Sequence, residues 1–232
     1  MSNFKIFSFA DLMCGSHKDE GRRDKNSQQE HSVAQKPQTP RNGVYIQDIS
    51  GKLWEIKEWD DSVKPNAIAV IDDEAKFLIA LREFELRLSD DGKALFRNYM
   101  AKISCETAAK ADYNGAGNTS NMLKAESDTS YAAGFCNSFT FPNGKPKGYL
   151  PSLGQLNLAY HKKHEICDAL NKCGGAAMSS DYHWSSTFHY ARESYSINCG
   201  MHACWMLNWK DGIVKSYYSD SRGYVRPFAN LQ

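Results

Sequence analysis

Between Phe188 and His202 the chain reads FHYARESYSINCGMH. Phe, His, Tyr, Arg, Asn, Ser and Ile are mixed there without the sustained period of about 2 or 3.6 that marks a strand or a helix. Such a mixture suits noncovalent recognition, because Tyr offers a large rigid contact area at little torsional cost while Ser and Asn supply adaptable hydrogen bonds. A second patch, Ser216, Tyr217, Tyr218 and Ser219, has the same character. An irregular loop with aromatics folded back onto the core is the alternative reading of the longer segment. The seven cysteines, Cys14, Cys105, Cys136, Cys167, Cys173, Cys199 and Cys204, include no CxxC pair, so the spacing of a zinc site is missing and disulfide pairing stays open. His161, Lys162, Lys163 and His164 read as a solvated junction rather than a ligand cluster.

The recognition segments are flanked by residues that read as scaffold. Trp205, Leu207 and Trp209 alternate with Met206, Asn208 and Lys210, which places the first three on one face of a strand. Asp211-Gly212 then predicts a two-residue type I′ turn, with a returning strand from Ile213 onward. Further upstream, Pro151-Ser152 starts a helix in which Ser152 and Gln155 form a capping box, each side chain satisfying an otherwise unpaired backbone N–H. Leu153, Leu156, Ala159 and Tyr160 give that helix its apolar face. A second helix from about His164 to Cys173 is closed by Gly174-Gly175.

Earlier segments are less sharply marked. Val44–Ile49 and Leu53–Trp59 read as strands around Ser50-Gly51, and Ala67–Ile71 and Ala75–Leu81 as a second pair, although Glu74–Leu88 also admits a helix. Cys105–Ala111 and Ser130–Phe139 carry helical signals, and Asn114-Gly115-Ala116-Gly117-Asn118 reads as a break between them. Gly15 to Asn42 is dominated by charged residues, Gln, Ser and Pro, a composition that buries too little apolar surface to offset ordering entropy. Residues 1–42 therefore read as a flexible attachment segment and linker, and 43–232 as the folded domain. Phe4–Met13 is interrupted by Lys5 and Asp11 and is followed by no small-residue cleavage site, which gives no convincing signal peptide. A formal net charge of +1 argues against nucleic-acid binding, and no apolar run approaches the roughly 20 residues that span a bilayer.

The order of motifs DYNGAGNT (Asp112–Thr119), Cys136, GYLPSLGQL (Gly148–Leu156), WSST (Trp184–Thr187) and YVRPF (Tyr224–Phe228) resembles bacterial and phage domains with a C-type-lectin-like fold of the formylglycine-generating-enzyme type. Within that group the chain is most similar to the variable proteins of diversity-generating retroelements, over about Gly43 to Gln232. The resemblance implies an α+β fold with helices flanking short antiparallel sheets, and a variable region over about 184–228 displayed on a fixed scaffold. Adenine-directed rewriting of AAC codons leads to many residue types but not to Lys, Glu, Gln, Met or Trp. Only Glu193 departs from that set between Phe188 and Gly200.

Carried over by resemblance, the ligand contacts are Phe188, His189, Tyr190, Arg192, Tyr195, Ile197, Asn198, Asn208, Ile213, Ser216, Tyr217 and Tyr218. Trp184, Trp205, Leu207, Trp209, Val214, Val225, Arg226 and Pro227 are the scaffold. The implied function is hypervariable receptor binding or adhesion on a phage tail or a bacterial surface. The expected partners are a protein or glycan receptor on a target cell and the parent assembly, reached through the N-terminal segment; a homo-oligomer is allowed. The calcium-dependent sugar signatures of animal lectins are absent, so no metal, cofactor or catalytic residue is expected. The rival implication is a copper-dependent oxidoreductase of the formylglycine-generating type, in which Cys199 and Cys204, with four intervening residues, would hold Cu(I) as thiolates.

Overall fold

Residues 40–90, 102–189 and 203–231 are described in a computed structural model of the chain, all within the compact unit Thr39–Gln232. The expectations for 1–39, and those for Tyr190, Arg192, Tyr195, Ile197, Asn198 and Cys199, lie outside the described residues.

The chain opens with β1 (Gly43–Asp48), β2 (Leu53–Glu55), β3 (Pro65–Ile71) and β4 (Lys76–Ile79). Asp48 shapes the first turn: its Oδ1 accepts from the Ser50 N–H at 2.8 Å and the Lys52 N–H at 3.0 Å, and its Oδ2 from the Trp54 indole at 2.9 Å. Gly51, at φ +93°, takes the left-handed position. Next come β5 (Phe84–Arg87) and β6 (Lys102–Ile103), so the segment that admitted either a strand pair or a helix is extended. Five helices follow among the described residues: α1 (Glu106–Lys110), α2 (Gly115–Leu123), α3 (Ala132–Ser138), α4 (Leu153–His161) and α5 (Lys163–Lys172). The chain then returns to strands, β7 (Tyr182–His189), β8 (Ala203–Asn208), β9 (Val214–Tyr218), β10 (Arg222–Val225) and β11 (Phe228–Asn230).

This is a mixed α+β fold with two sheets. The first, in the order β11-β4-β3-β1-β2, is antiparallel throughout; the second runs β5-β10-β7-β8-β9, with β6 added beside β7. β7 is parallel to both β10 and β6, and the remaining pairs are antiparallel. One core lies between the first sheet, α4, α5 and one face of β8, and contains Ile46, Phe77, Leu156, Ile166, Trp205 and Leu207. A second core on the opposite face of β8 contains Met122, Cys136, Trp184, Phe188, Met206 and Val225. Both faces of β8 are therefore buried, and Met206 is as much a core residue as its neighbours, at 1% exposed.

The capping box forms as expected: Ser152 accepts from the Gln155 N–H, and the Gln155 side chain accepts from the Ser152 N–H at 3.1 Å. α5 ends before Gly174, whose φ is +73°. The glycine-rich stretch at Asn114–Asn118 corrects its reading as a break, because Gly115 begins α2. Its glycine serves close approach: a Cβ on Gly115 would stand 2.8 Å from the Ser152 nitrogen and would collide with the Gln155 Oε1. Gly115→Ala should therefore destabilise the fold by about 1 to 3 kcal/mol, the usual cost of overpacking, which urea unfolding would measure.

The turn after β8 also differs from its expected form. Asn208 donates its N–H to the Ile213 carbonyl at 2.9 Å, and Gly212 donates to the Asn208 carbonyl at 2.9 Å, which closes a loop of Trp209 to Gly212 instead of a two-residue turn. The longer loop lets Trp209 turn inward, 3% exposed and edge-on to Tyr160. Lys163 holds this loop, its Nζ donating to the Trp209 carbonyl at 3.0 Å and the Lys210 carbonyl at 2.9 Å. Lys162 pairs with Asp72 at 3.0 Å. Two of the four residues expected as a solvated junction are thus structural.

Candidate ligand-binding surface

The described part of the expected contact surface is β9 with the β8–β9 loop, because β7 and β8 are buried over most of their length. Pairing opposes Lys215 to Met206, Ser216 to Trp205, Tyr217 to Cys204 and Tyr218 to Ala203. Pleating sends Lys215 and Tyr217 to the side of the second core and Ser216 and Tyr218 to the other side. Tyr218 is 53% exposed and Ile213 46%, while Ser216 is exposed and Asn208 half-buried. The Asn208 side chain accepts from the Lys210 N–H at 2.9 Å, which makes it a turn-former as well as a rim residue. Tyr217 packs on Tyr182 with ring centroids 5.0 Å apart. Beside this pair Asp181, Arg222, Tyr224 and Glu85 complete a depression of about 210 Å3. Tyr182, Arg222 and Tyr224 were not singled out as contacts, because their positions next to Tyr217 depend on strand order rather than on local pattern.

Two expected contacts have a different environment. Phe188 is fully buried in the second core, where a ligand approaching from solvent does not reach it. The cause is the length of β7, which continues to His189: Trp184 and Phe188, four positions apart, both reach that core, with a register shift lying between them. His189 is half-buried with its ring edge-on to Trp205 at 4.6 Å, and burial holds its imidazole pKa below the ordinary value. Among the expected scaffold residues, Trp184, Trp205, Leu207, Trp209, Val225, Arg226 and Pro227 are buried and Val214 is partly buried.

Behind β7 the motif residues converge on one hydrogen-bonded knot. Asp112 Oδ2 accepts from Asn118 Nδ2 at 2.7 Å and from the Thr187 hydroxyl at 2.6 Å, and the Asp112 carbonyl accepts from the Gly154 N–H at 3.0 Å. Thr187 in turn accepts from the Leu153 N–H at 2.9 Å. One more layer out, Thr119 both donates to the Leu150 carbonyl at 3.1 Å and accepts from the Leu150 N–H at 3.0 Å. DYNGAGNT, GYLPSLGQL and WSST are therefore joined to one another through hydrogen bonds in which Asn118, Thr119 and Thr187 are buried and Asp112 is half-buried.

A second buried polar group ties β7 to the strand exits. His183 Nε2 lies 2.6 Å from Glu83 Oε1, and its Nδ1 lies 3.0 Å from the Asp181 carbonyl. Arg226 donates to the Ala80 carbonyl at 3.2 Å and to those of Ala176 and Ala177 at 2.9 and 3.1 Å, with its Nε 3.6 Å from Glu83. Burial alone would raise the Glu83 pKa, but the His183 hydrogen bond and the charges of His183 and Arg226 bring it below the ordinary carboxylate value. No motif marks Glu83, and only Arg226, in YVRPF, carried a sequence signal.

Cys105, Cys136, Cys167, Cys173 and Cys204 are free thiols. Cys204 is fully buried among apolar side chains, and burial pushes its thiol well above the ordinary pKa, which works against the thiolate that Cu(I) binding needs. Among the described residues no group of three or more His, Cys, Asp or Glu could hold a metal ion, and no helix is long and apolar enough to cross a membrane. No family model matches the chain, and no curated protein or solved structure matches it either.

Proposed function

We propose that the protein is a hypervariable receptor-binding or adhesion module, a variable protein of a diversity-generating retroelement with a C-type-lectin-like fold, carried on a phage tail or a bacterial surface. The observation that carries the reading is the separation of two residue sets. Asp112, Leu153, Gly154 and Thr187, all from motifs of the resemblance, are joined in a hydrogen-bonded knot centred on the half-buried Asp112, whereas Ile213, Ser216 and Tyr218 stand in solvent on the adjoining hairpin. A scaffold bound internally by charge-assisted hydrogen bonds tolerates replacement of side chains that take no part in it. The ligand of this surface is a protein or glycan receptor on a target cell, and the N-terminal segment joins the module to its parent assembly.

Sequencing around the gene tests the hypervariation directly: a reverse transcriptase gene and a near-copy of the final coding segment should lie nearby, and a locus with neither would remove this reading. A second expected result concerns binding. Tyr218→Ala, at the end of β9 where the side chain is 53% exposed, should weaken attachment of the labelled protein to receptor-bearing cells by about 2 kcal/mol, as loss of an aromatic anchor does. Tyr218→Ala should leave the unfolding free energy within about 0.5 kcal/mol of the parent.

A further inference from the structure

A groove apart from that surface shares no lining residue with the tyrosine depression. It holds about 590 Å3, within the roughly 300 to 1,000 Å3 of small-molecule sites. Four separate segments form it: the entry to β3, the β4–β5 connection, the loop after α3 and the loop after α5. Pro65, Leu81, Phe139 and Pro142 give it apolar walls, and Lys64 and Arg82 are its ionised side chains; no carboxylate lines it.

The walls are held from behind. Phe139 packs edge-on against Phe141 at 5.2 Å, and the Asn143 N–H donates to the buried Asn66 side chain at 3.0 Å. Several backbone carbonyls of the lining residues already accept hydrogen bonds: Leu81 from the Ala176 N–H at 2.8 Å, Lys64 from the Ile49 N–H at 3.1 Å and Ala176 from Arg226 Nη2 at 2.9 Å. Among the described residues neither Lys64 nor Arg82 forms an ion pair. Two exposed cations beside a preformed apolar cleft, with no competing acid, complement a ligand that joins a negative charge to an apolar body.

We infer that this groove binds a small organic anion with an aromatic or aliphatic body, its acid group between Lys64 and Arg82 and its body against Leu81, Phe139 and Pro142. This site is independent of the receptor-binding surface.

Titration of the full chain with anilinonaphthalene sulfonate, followed by fluorescence, tests the inference, with uncharged phenylnaphthylamine as the control probe. The sulfonate should bind saturably, and Lys64→Gln with Arg82→Gln should weaken it about tenfold or more, since both of its charge partners are removed. Thr140→Trp, which fills the groove from an exposed position, should weaken both probes. In the unaltered protein, added salt should weaken the sulfonate and leave the uncharged probe unchanged, a comparison that stands even if a variant fails to fold. Absence of saturable sulfonate binding, or equal sulfonate affinity with and without the two cations, would overturn the assignment. Salt-independent sulfonate binding would do the same.

Discussion

Glu83→Ala should be among the most damaging single substitutions in the chain, lowering stability by about 3 to 5 kcal/mol, because it leaves the buried Arg226 guanidinium without its countercharge and His183 without its partner. Against the roughly 5 to 15 kcal/mol that holds a domain together, that is a third or more of the margin in most cases. Thermal melts should shift down by about 6 to 20 °C for a domain of this size. Glu83→Gln should cost less, since an amide oxygen still accepts from the Ser179 N–H, which the carboxylate now does at 2.7 Å.

The pH dependence has a defined sign. The folded protein holds the Glu83 carboxyl below its ordinary pKa, so in acid the unfolded chain takes up this proton first. The stabilising increment is complete above the ordinary glutamate value of about 4.3 and is lost as pH falls through the lower folded value. The stability gap between the parent and Glu83→Gln should therefore be widest near neutrality and close progressively in acid. Urea unfolding across that range would measure it, and a gap that stays constant or widens in acid would contradict the role assigned to the carboxylate.

Trp184→Ala and Trp205→Ala form the second large effect, each costing about 3 to 5 kcal/mol through lost burial and the cavity left behind. The two indoles lie in different cores, Trp184 at 1% exposed in the second and Trp205 at 7% in the first. Each also anchors a neighbouring segment, Trp184 donating to the Leu86 carbonyl at 3.1 Å and Trp205 to the Ile103 carbonyl at 3.2 Å. Truncation leaves those carbonyls without that donor and adds to the cavity cost. Both variants should melt far below Tyr218→Ala, whose side chain is 53% exposed. Similar melting of all three would mean that the division between scaffold and contact residues is drawn in the wrong place.

What could be read from the sequence was whatever neighbouring residues decide. Ser152 and Gln155 stand three positions apart and cap the same helix turn, so their residue types sufficed. Trp205 and Leu207 alternate within one strand and were assigned inward on that ground. Trp209 was also assigned inward, but the loop that carries it was not, since its length follows from packing against Tyr160 and a tether from Lys163. Gly115 was misread because the absence of a Cβ serves a turn and a tight contact equally well; the contact, Ser152, lies on another helix start. Phe188 opens a segment of mixed composition, yet β7 continues through it into the core. Glu83 could not be found at all: its imidazole partner stands 100 positions away, and nothing local distinguishes it from a surface glutamate.

The last strand has a consequence for synthesis. β11 pairs with β4, Phe228 opposite Ile79, and Phe228 stacks on Phe77 at 4.8 Å. β4 is thus made long before the strand that covers its outer edge. At about 5 to 20 residues per second, the ribosome would need roughly 7 to 30 s to travel from one to the other. Throughout that interval the nascent chain presents an apolar strand with unpaired backbone groups, the kind of edge to which other chains add. Expression yield should therefore respond to translation rate and to chaperones that bind extended apolar segments, even for variants whose finished fold is unchanged.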